Sequence, residues 1–200
     1  FDEFRRKGIR PGSTVLLAAV PGNNELFVAL LFAALAAYGA RTFLPMFMET
    51  GALEEWLDVS GAVAVIAPGQ DIAALDHHDR EKSIVQAIRA AAAGRGLACY
   101  DSLGDFGLRS RLFGDVPSDG GGPGTAAAIA STGPDTPAVI VTTSGSSGRS
   151  KLVAYSQGAF IRSCLSWQAA GFYNPGKLGG RGFTPLLTHT MGLRAYFNAL

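Results

Sequence analysis

Short apolar segments alternate with helical segments along this chain, and this alternation restricts its fold more than any other feature. The segments apolar enough to be buried strands are "STVLLAAV" (13–20), "RTFLP" (41–45), "AVAVIAP" (62–68), "LACY" (97–100), "PAVIVTT" (137–143) and "RGFTPLL" (181–187). Strands that are separated by helices join through right-handed parallel crossovers. We therefore predict an α/β fold with a mostly parallel sheet and helices on both faces.

Helical segments fill the intervals between these strands. Helices are predicted at 24–38, 52–59, 79–93 and 155–173, and another begins at 191. The first of them is apolar all round, so we expect it to be buried on every face. Its apolar run is shorter than the roughly 20 residues that a membrane span requires, which excludes a spanning helix there.

The chain carries few charges. Charged residues make up 16% of the 200 residues and hydrophobic residues 48%, whereas about a quarter of an average domain is charged. The chain is therefore either deeply packed or covered by another part of the protein. It opens on Phe1 and ends at Leu200 inside an apolar run, and we interpret it as a segment of a longer protein. The net charge is +1 without a basic stripe, which argues against nucleic-acid binding.

The cysteines and histidines are not spaced as metal ligands. Cys99 and Cys164 are typical of reduced, apolar side chains in a cytoplasmic protein. His77 and His78 have no second cluster to complete a ligand set, so we predict no metal site among these residues. The segment "GDVPSDGGGPG" (114–124) has no periodicity, and we expect a flexible loop there.

The segment "TTSGSSGRSKLV" (142–153) follows a predicted buried strand and precedes a predicted helix. Gly145 and Gly148 allow a tight turn that aims backbone N–H groups inward, and Lys151 adds a positive charge. The positive end of the following helix is expected to add to an anion site. The hydroxyl donors nearby are Thr142, Thr143, Ser144, Ser146 and Ser147. Composition alone leaves two interpretations open, a tight structural turn and an anion site.

The spacing of this loop excludes the common nucleotide-binding loop. That loop needs G-x-x-x-x-G-K-[ST], whereas Gly145 and Gly148 are three residues apart and Lys151 lies three beyond the second glycine. A P-loop NTPase or kinase is therefore not predicted.

The loop instead resembles the T-S-G-[ST]-T-G-x-P-K-G motif of the adenylate-forming ligases, which include acyl-CoA synthetases and adenylation domains. The matching residues are Thr143, Ser144, Gly145, Ser146, Gly148 and Lys151. Ser147 stands where threonine is usual, Ser150 where proline is usual, and Leu152 where glycine is usual. The resulting "SKL" is similar to the branch that activates aryl acids. Thr190, however, stands where that branch often has asparagine.

The resemblance covers most of the chain in the family's order. Early glycine, alanine and proline positions match at Gly8, Gly12, Gly39, Ala40 and Pro45, and the later P-L-x-H-x-x-G element matches at Pro185, His189 and Gly192. The resemblance implies that 1–200 is part of the large N-terminal domain, with the mobile C-terminal domain absent.

The resemblance also implies a chemistry. The family joins a carboxylic acid to ATP as an acyl-adenylate, needs Mg²⁺, and passes the acyl group to CoA or a phosphopantetheine carrier protein. Lys151 and the loop residues Thr143, Ser144, Gly145, Ser146, Ser147 and Gly148 would hold the ATP phosphates. Lys151 and His189 would be catalytic, and His189, Thr190 and Gly192 would line the acid pocket.

Two alternatives stay open. His189 is interpreted either as an ordinary turn residue or as part of the acid pocket. The intact protein is interpreted as an enzyme, with residues 1–200 inactive alone, or as a non-catalytic interaction module that keeps the ligase fold.

Overall fold

The computed structural model describes residues 1–18, 25–45, 50–69, 79–102, 104–106, 132–143 and 151–170. Within this part the chain forms a six-stranded sheet. The strands are β1 (Thr14–Leu17), β2 (Arg41–Leu44), β3 (Ala62–Ala67), β4 (Ala98–Asp101), β5 (Pro137–Thr143) and β6 (Lys151–Ser156). Their order is β4-β3-β1-β2-β5-β6. Four of the neighbouring pairs are parallel and only β5–β6 is antiparallel, which confirms the predicted mostly parallel α/β sheet.

The helices lie on both faces of this sheet. They are α1 (Asp2–Arg6), α2 (Glu25–Tyr38), α3 (Leu53–Ser60), α4 (Asp79–Gly94) and α5 (Gln157–Ala169), with a short 3₁₀ helix at Thr50–Ala52 before α3. Gly39 follows α2 with a φ of 83°, as expected of a helix-ending glycine. The helix α1 lies where no element was predicted. The predicted strand at 181–187, the helix from 191 and the loop at 114–124 lie outside the described residues.

Side chains along the parallel strands point alternately to the two faces of the sheet, so the core consists of two clusters, one on each face. On one face Val15, Leu17 and Val139 pack with residues of α1, α2 and α5. On the other face Leu16 and Val65 pack with residues of α3 and α4. The strands β1, β2, β3 and β5 are largely buried on both sides, which explains why they are short continuous apolar runs without polar alternation.

The helix α2 is not buried on every face, contrary to the sequence prediction. Val28 and Leu35 are fully buried, and Phe32 packs edge-on against Phe160 of α5, with 5.7 Å between the ring centroids. Leu30 and Ala33, however, are exposed. One sheet face and one neighbouring helix contact only part of a helix surface, so an apolar composition does not by itself place every side chain in the core.

The segment after the Ser/Gly loop is a strand and not the start of a helix, which corrects the prediction of a helix from residue 155. The strand β6 pairs with β5 from Thr143 opposite Lys151 to Pro137 opposite Ser156. Leu152 packs against one sheet face, and Val153 and Tyr155 pack against the other. Side chains that alternate between the two faces are typical of a strand. The helix therefore begins at Gln157, two residues after the predicted start.

Candidate functional site

Thr143 and Lys151 close the base of the Ser/Gly loop. Thr143 is the last residue of β5, Lys151 is the first residue of β6, and the two are paired in the antiparallel ladder. The Thr143 hydroxyl lies 3.5 Å from the carbonyl oxygen of Lys151, to which it donates. The sequence placed both residues in one loop motif, and the structure brings them together as neighbours at the carboxyl edge of the sheet.

The Lys151 side chain is exposed. Within the part of the chain that the structure describes, no carboxylate oxygen lies within 4.0 Å of its ammonium nitrogen, the distance limit for an ion pair. An exposed ammonium without a carboxylate partner can interact with an incoming anion without first breaking an ion pair. At the carboxyl edge of a parallel sheet, where ligands of α/β proteins bind, this charge is placed for anion recognition.

Thr142 differs from Thr143 in its surroundings. Thr142 is only 1% exposed, whereas Thr143 is half-buried. Thr142 belongs to the packed end of β5, so we remove its hydroxyl from the set of donors expected to face a ligand. Thr143 keeps its place in that set.

The helix α5 does not direct its positive end at the loop, contrary to the sequence prediction. The Gln157 backbone N–H donates to the Thr136 carbonyl at 2.8 Å, and the Gly158 N–H donates to the Pro134 carbonyl at 2.8 Å. Both acceptors precede β5, at the amino edge of the sheet. Since β6 has six residues, the start of α5 lies about 17–20 Å from the loop at 3.3 Å per residue. The helix dipole acts only over its first turn, so the loop cannot use it.

Two carboxylates lie near the carboxyl edge of the sheet, but at the end of β4, far from the Ser/Gly loop. Asp101 ends β4, and Asp105 accepts a hydrogen bond from the Asp101 N–H at 2.6 Å. Four strand spacings separate β4 from β5, which amounts to about 19 Å. These carboxylates are therefore too far from the loop to hold a cation on a phosphate bound there. The described residues provide no Mg²⁺ ligand beside the loop.

The remaining predicted site residues lie outside the described residues. They are Ser144, Gly145, Ser146, Ser147, Gly148, His189, Thr190 and Gly192, and the pair His77 and His78 lies there too. Their predicted roles stay predictions.

Cys99 and Cys164 are free thiols. Burial raises the pKa of the Cys99 thiol, which disfavours the reactive thiolate. Cys164 is buried in the core, in agreement with the predicted apolar role. Trp56 is also buried, and its ring meets Phe43 edge-on with centroids 6.3 Å apart, as expected of a packing residue.

No helix of the described residues combines the length and apolar character needed to cross a membrane.

Several solved structures share this fold. VinN matches with a TM-score of 0.64 and 16% identity over 98% of this chain and 43% of its own. ATP-bound MatB from Rhodopseudomonas palustris matches with a TM-score of 0.61 and 19% identity over 99% of this chain and 35% of its own. The o-succinylbenzoate CoA synthetase MenE from Bacillus subtilis, in complex with its acyl-adenylate intermediate, matches with a TM-score of 0.57 and 15% identity, over 98% and 43%.

The chain thus spans less than half the length of these structures. A comparison with curated proteins finds no match. The family model described as "AMP-binding enzyme" matches residues 3–193, nearly the whole chain. The chain therefore belongs to the AMP-binding enzyme family, the adenylate-forming ligases.

Proposed function

We propose that the intact protein activates a carboxylic acid with ATP as an acyl-adenylate and then transfers the acyl group to the thiol of CoA or of a phosphopantetheine carrier protein. The observation that carries this proposal is the position of Lys151. It is an exposed cation without a described ion pair, at the base of a Ser/Gly loop on the carboxyl edge of the sheet, in a member of the AMP-binding family.

The first task of such an enzyme is to reduce repulsion between the carboxylate and the triphosphate. The Lys151 ammonium would neutralise part of the charge on the β- and γ-phosphates. The backbone N–H groups and hydroxyls from Thr143 to Gly148 would donate hydrogen bonds to the same oxygens. Donors fixed in place before the reaction lower the barrier because they need not reorganise during it.

The hairpin positions this charge. Because β5 and β6 are paired up to Thr143 and Lys151, the backbone on both sides of the loop is fixed by the sheet. The loop therefore has a rigid base, in which the backbone of Lys151 is held beside that of Thr143. Precise placement of charge relative to the reacting atoms is the main contribution that a protein can make to phosphoryl and adenylyl chemistry.

ATP would be used as its magnesium complex, but no step of this proposal depends on a protein ligand to the metal, since the described residues provide none near the loop. His189, Thr190 and Gly192 are proposed to line the acid pocket, with His189 close to the carboxylate. We also propose a cytoplasmic location, where ATP and CoA are available.

The acid is proposed to be small. VinN has been solved with 3-methylaspartate and with L-aspartate, and MenE is an o-succinylbenzoate CoA synthetase. Amino acids, dicarboxylic acids and aryl acids such as dihydroxybenzoate therefore form the first panel of substrates to test.

The experiment is ATP–pyrophosphate exchange with the full-length protein and this panel of acids. The proposal predicts exchange that depends on one acid or a related group of acids. Exchange that is absent with every acid, together with ATP binding that is also absent, would favour the alternative of a non-catalytic module. Residues 1–200 alone are proposed to give no exchange. The described part holds no carboxylate near the loop. Alignment of the acid with ATP can lower the barrier by about 7–11 kcal/mol, and we do not expect this part alone to supply it.

A further inference from the structure

A cavity lies at the amino edge of the sheet, at the opposite end of β5 from the Ser/Gly loop. It has a volume of about 360 Å³ and is lined by Pro11, Gly12, Gly39, Arg41, Thr136 and Pro137, among others. This volume lies within the range of about 300–1,000 Å³ that is typical of small-molecule sites. The strand β5 has seven residues, so the cavity and Lys151 are about 20 Å apart along the strand.

Arg41 is the only charged residue among those that line this cavity. One terminal nitrogen, Nη2, donates to the Gly12 carbonyl at 2.8 Å, which holds the guanidinium in place. The Nε atom is shielded from solvent and has no hydrogen-bond partner. A buried donor without an acceptor costs free energy, so the protein itself does not satisfy all the donors of this guanidinium.

The other residues that line the cavity add a hydroxyl donor and no carboxylate that could pair with Arg41. The Thr136 hydroxyl oxygen accepts from the Gly133 N–H at 2.9 Å, which leaves its own hydrogen free to donate. No aspartate or glutamate lines the cavity, and within the described residues Arg41 has no ion-pair partner. A positive charge and a hydroxyl donor without a neighbouring carboxylate favour an anion over a cation.

The shape of the walls indicates what the anion is attached to. The rings of Pro11 and Pro137 are apolar. Gly12 and Gly39 have φ values of 83° each and lack side chains, and a Cβ atom at Gly12 would meet nothing within 4 Å. A Cβ atom at Gly39 would touch Thr132 and Pro11, so room for a small apolar group next to the charged one lies on the Gly12 side of the cavity.

We propose that this cavity binds a small oxyanion, a carboxylate or a phosphate group on a compact apolar molecule, with Arg41 as its principal ligand. The guanidinium is held in place by Gly12, and its Nη groups can donate charge-assisted hydrogen bonds to an oxygen of such a group. The site is separate from the proposed ATP site, and the inference does not depend on the proposed function.

The test uses the full-length protein labelled with ¹⁵N-arginine, and follows the Nε–H signals by NMR during titration with inorganic phosphate and, separately, with benzoate. The Arg41 signal is assigned by its loss in Arg41→Gln. We expect this signal to move with saturation in the millimolar range. The signal of Arg162, an exposed arginine on α5, should move no more than it does with sodium chloride at equal ionic strength.

Calorimetry then measures affinity for whichever probe binds, in a Lys151→Ala background that removes binding at the loop. Arg41→Gln should weaken binding by about tenfold or more, the effect of losing charge-assisted hydrogen bonds, and Arg162→Gln should not. Saturation with phosphate alone, or with benzoate alone, would identify which oxyanion the site accepts. If Arg41→Gln fails to fold, Arg41→Lys provides the assignment instead. An Arg41 signal that moves only as much as the Arg162 signal with both probes would overturn the proposal.

Discussion

The ammonium group of Lys7 lies 4.5 Å from the centroid of the Tyr100 ring, and the Tyr100 hydroxyl donates to the backbone carbonyl of Lys7 at 3.0 Å. The Phe106 ring lies 5.3 Å from the same ammonium. These contacts join the N-terminal helix α1 to β4, although 93 residues separate Lys7 and Tyr100. The Lys7 side chain is only 14% exposed, so this charge is largely desolvated.

Lys7→Ala should lower the free energy of unfolding by about 1–2 kcal/mol, because it removes a desolvated cation–π contact, worth about 2 kcal/mol, together with ion pairs to Glu3 and Asp105 at 3.5 and 3.6 Å. The matched control is Arg6→Ala, since Arg6 makes a surface ion pair with Glu3 and is 74% exposed; its loss should change stability by no more than about 0.5 kcal/mol. Urea unfolding of both variants provides the comparison. Equal effects would show that the buried contacts of Lys7 contribute no more than an ordinary surface ion pair.

Gly158 is placed where a side chain does not fit. A Cβ atom there would lie 2.9 Å from both the Cβ atom and the carbonyl oxygen of Pro134, and the Gly158 N–H donates to that same carbonyl. Gly158→Ala should therefore separate the start of α5 from β5 and cost about 1–3 kcal/mol.

The control for Gly158 is Gly94→Ala, at the last residue of α4, where a Cβ atom would meet nothing within 4 Å. This change should be neutral or stabilise by up to about 1 kcal/mol. Thermal unfolding compares the two variants, and a Gly158→Ala protein as stable as Gly94→Ala would contradict the packing described here.

Asp58 and Arg95 join α3 to the residue that follows α4 in an exposed, bidentate ion pair with distances of 2.6 and 2.7 Å. The hydrogen bond from Arg95 lowers the pKa of Asp58 below its ordinary value of 3.8. A carboxyl group whose pKa is lower in the folded state stabilises the fold above its unfolded pKa, and this stabilisation is lost as the pH falls through the folded pKa.

The difference in melting temperature between the protein and its Asp58→Asn variant should therefore be largest at neutral pH and shrink as the pH falls below 3.8. Asp135→Asn, at an exposed aspartate of a turn, serves as the control, with a smaller difference at neutral pH. A difference for Asp58→Asn that stays constant from neutral pH down to strong acid would contradict the assignment.

The sequence predicted the buried strands well because each is a short apolar run bounded by glycine, proline or a charged residue. Strand β5 was predicted with its observed bounds, Pro137–Thr143. Strand β6 was missed because it is only half-buried and runs into α5 without a break. Its pairing with β5 depends on tertiary contacts that no local pattern contains.

The loop motif of the candidate site could be predicted from the sequence, but the pairing at its base and the cavity beside Arg41 could not. The nearness of Thr143 and Lys151 follows from the loop motif, but their ladder pairing depends on the hairpin that the sequence did not indicate. Arg41 carries no motif, and its contact with Gly12 spans 29 residues. The cavity beside it forms only when the amino ends of β2 and β5 come together, so it could be found only in the structure.

The central claim is that Lys151 interacts with the phosphates of ATP and has no role in folding. The most direct measurement is ATP–pyrophosphate exchange by the full-length protein, its Lys151→Ala variant and the control Arg162→Ala, an exposed cation on α5. We expect Lys151→Ala to change stability by no more than about 0.5 kcal/mol, as for an ordinary surface residue, and to slow exchange roughly ten- to a thousand-fold. Arg162→Ala should leave both unchanged. A Lys151→Ala protein that unfolds, or one that exchanges pyrophosphate at the unaltered rate, would contradict the account.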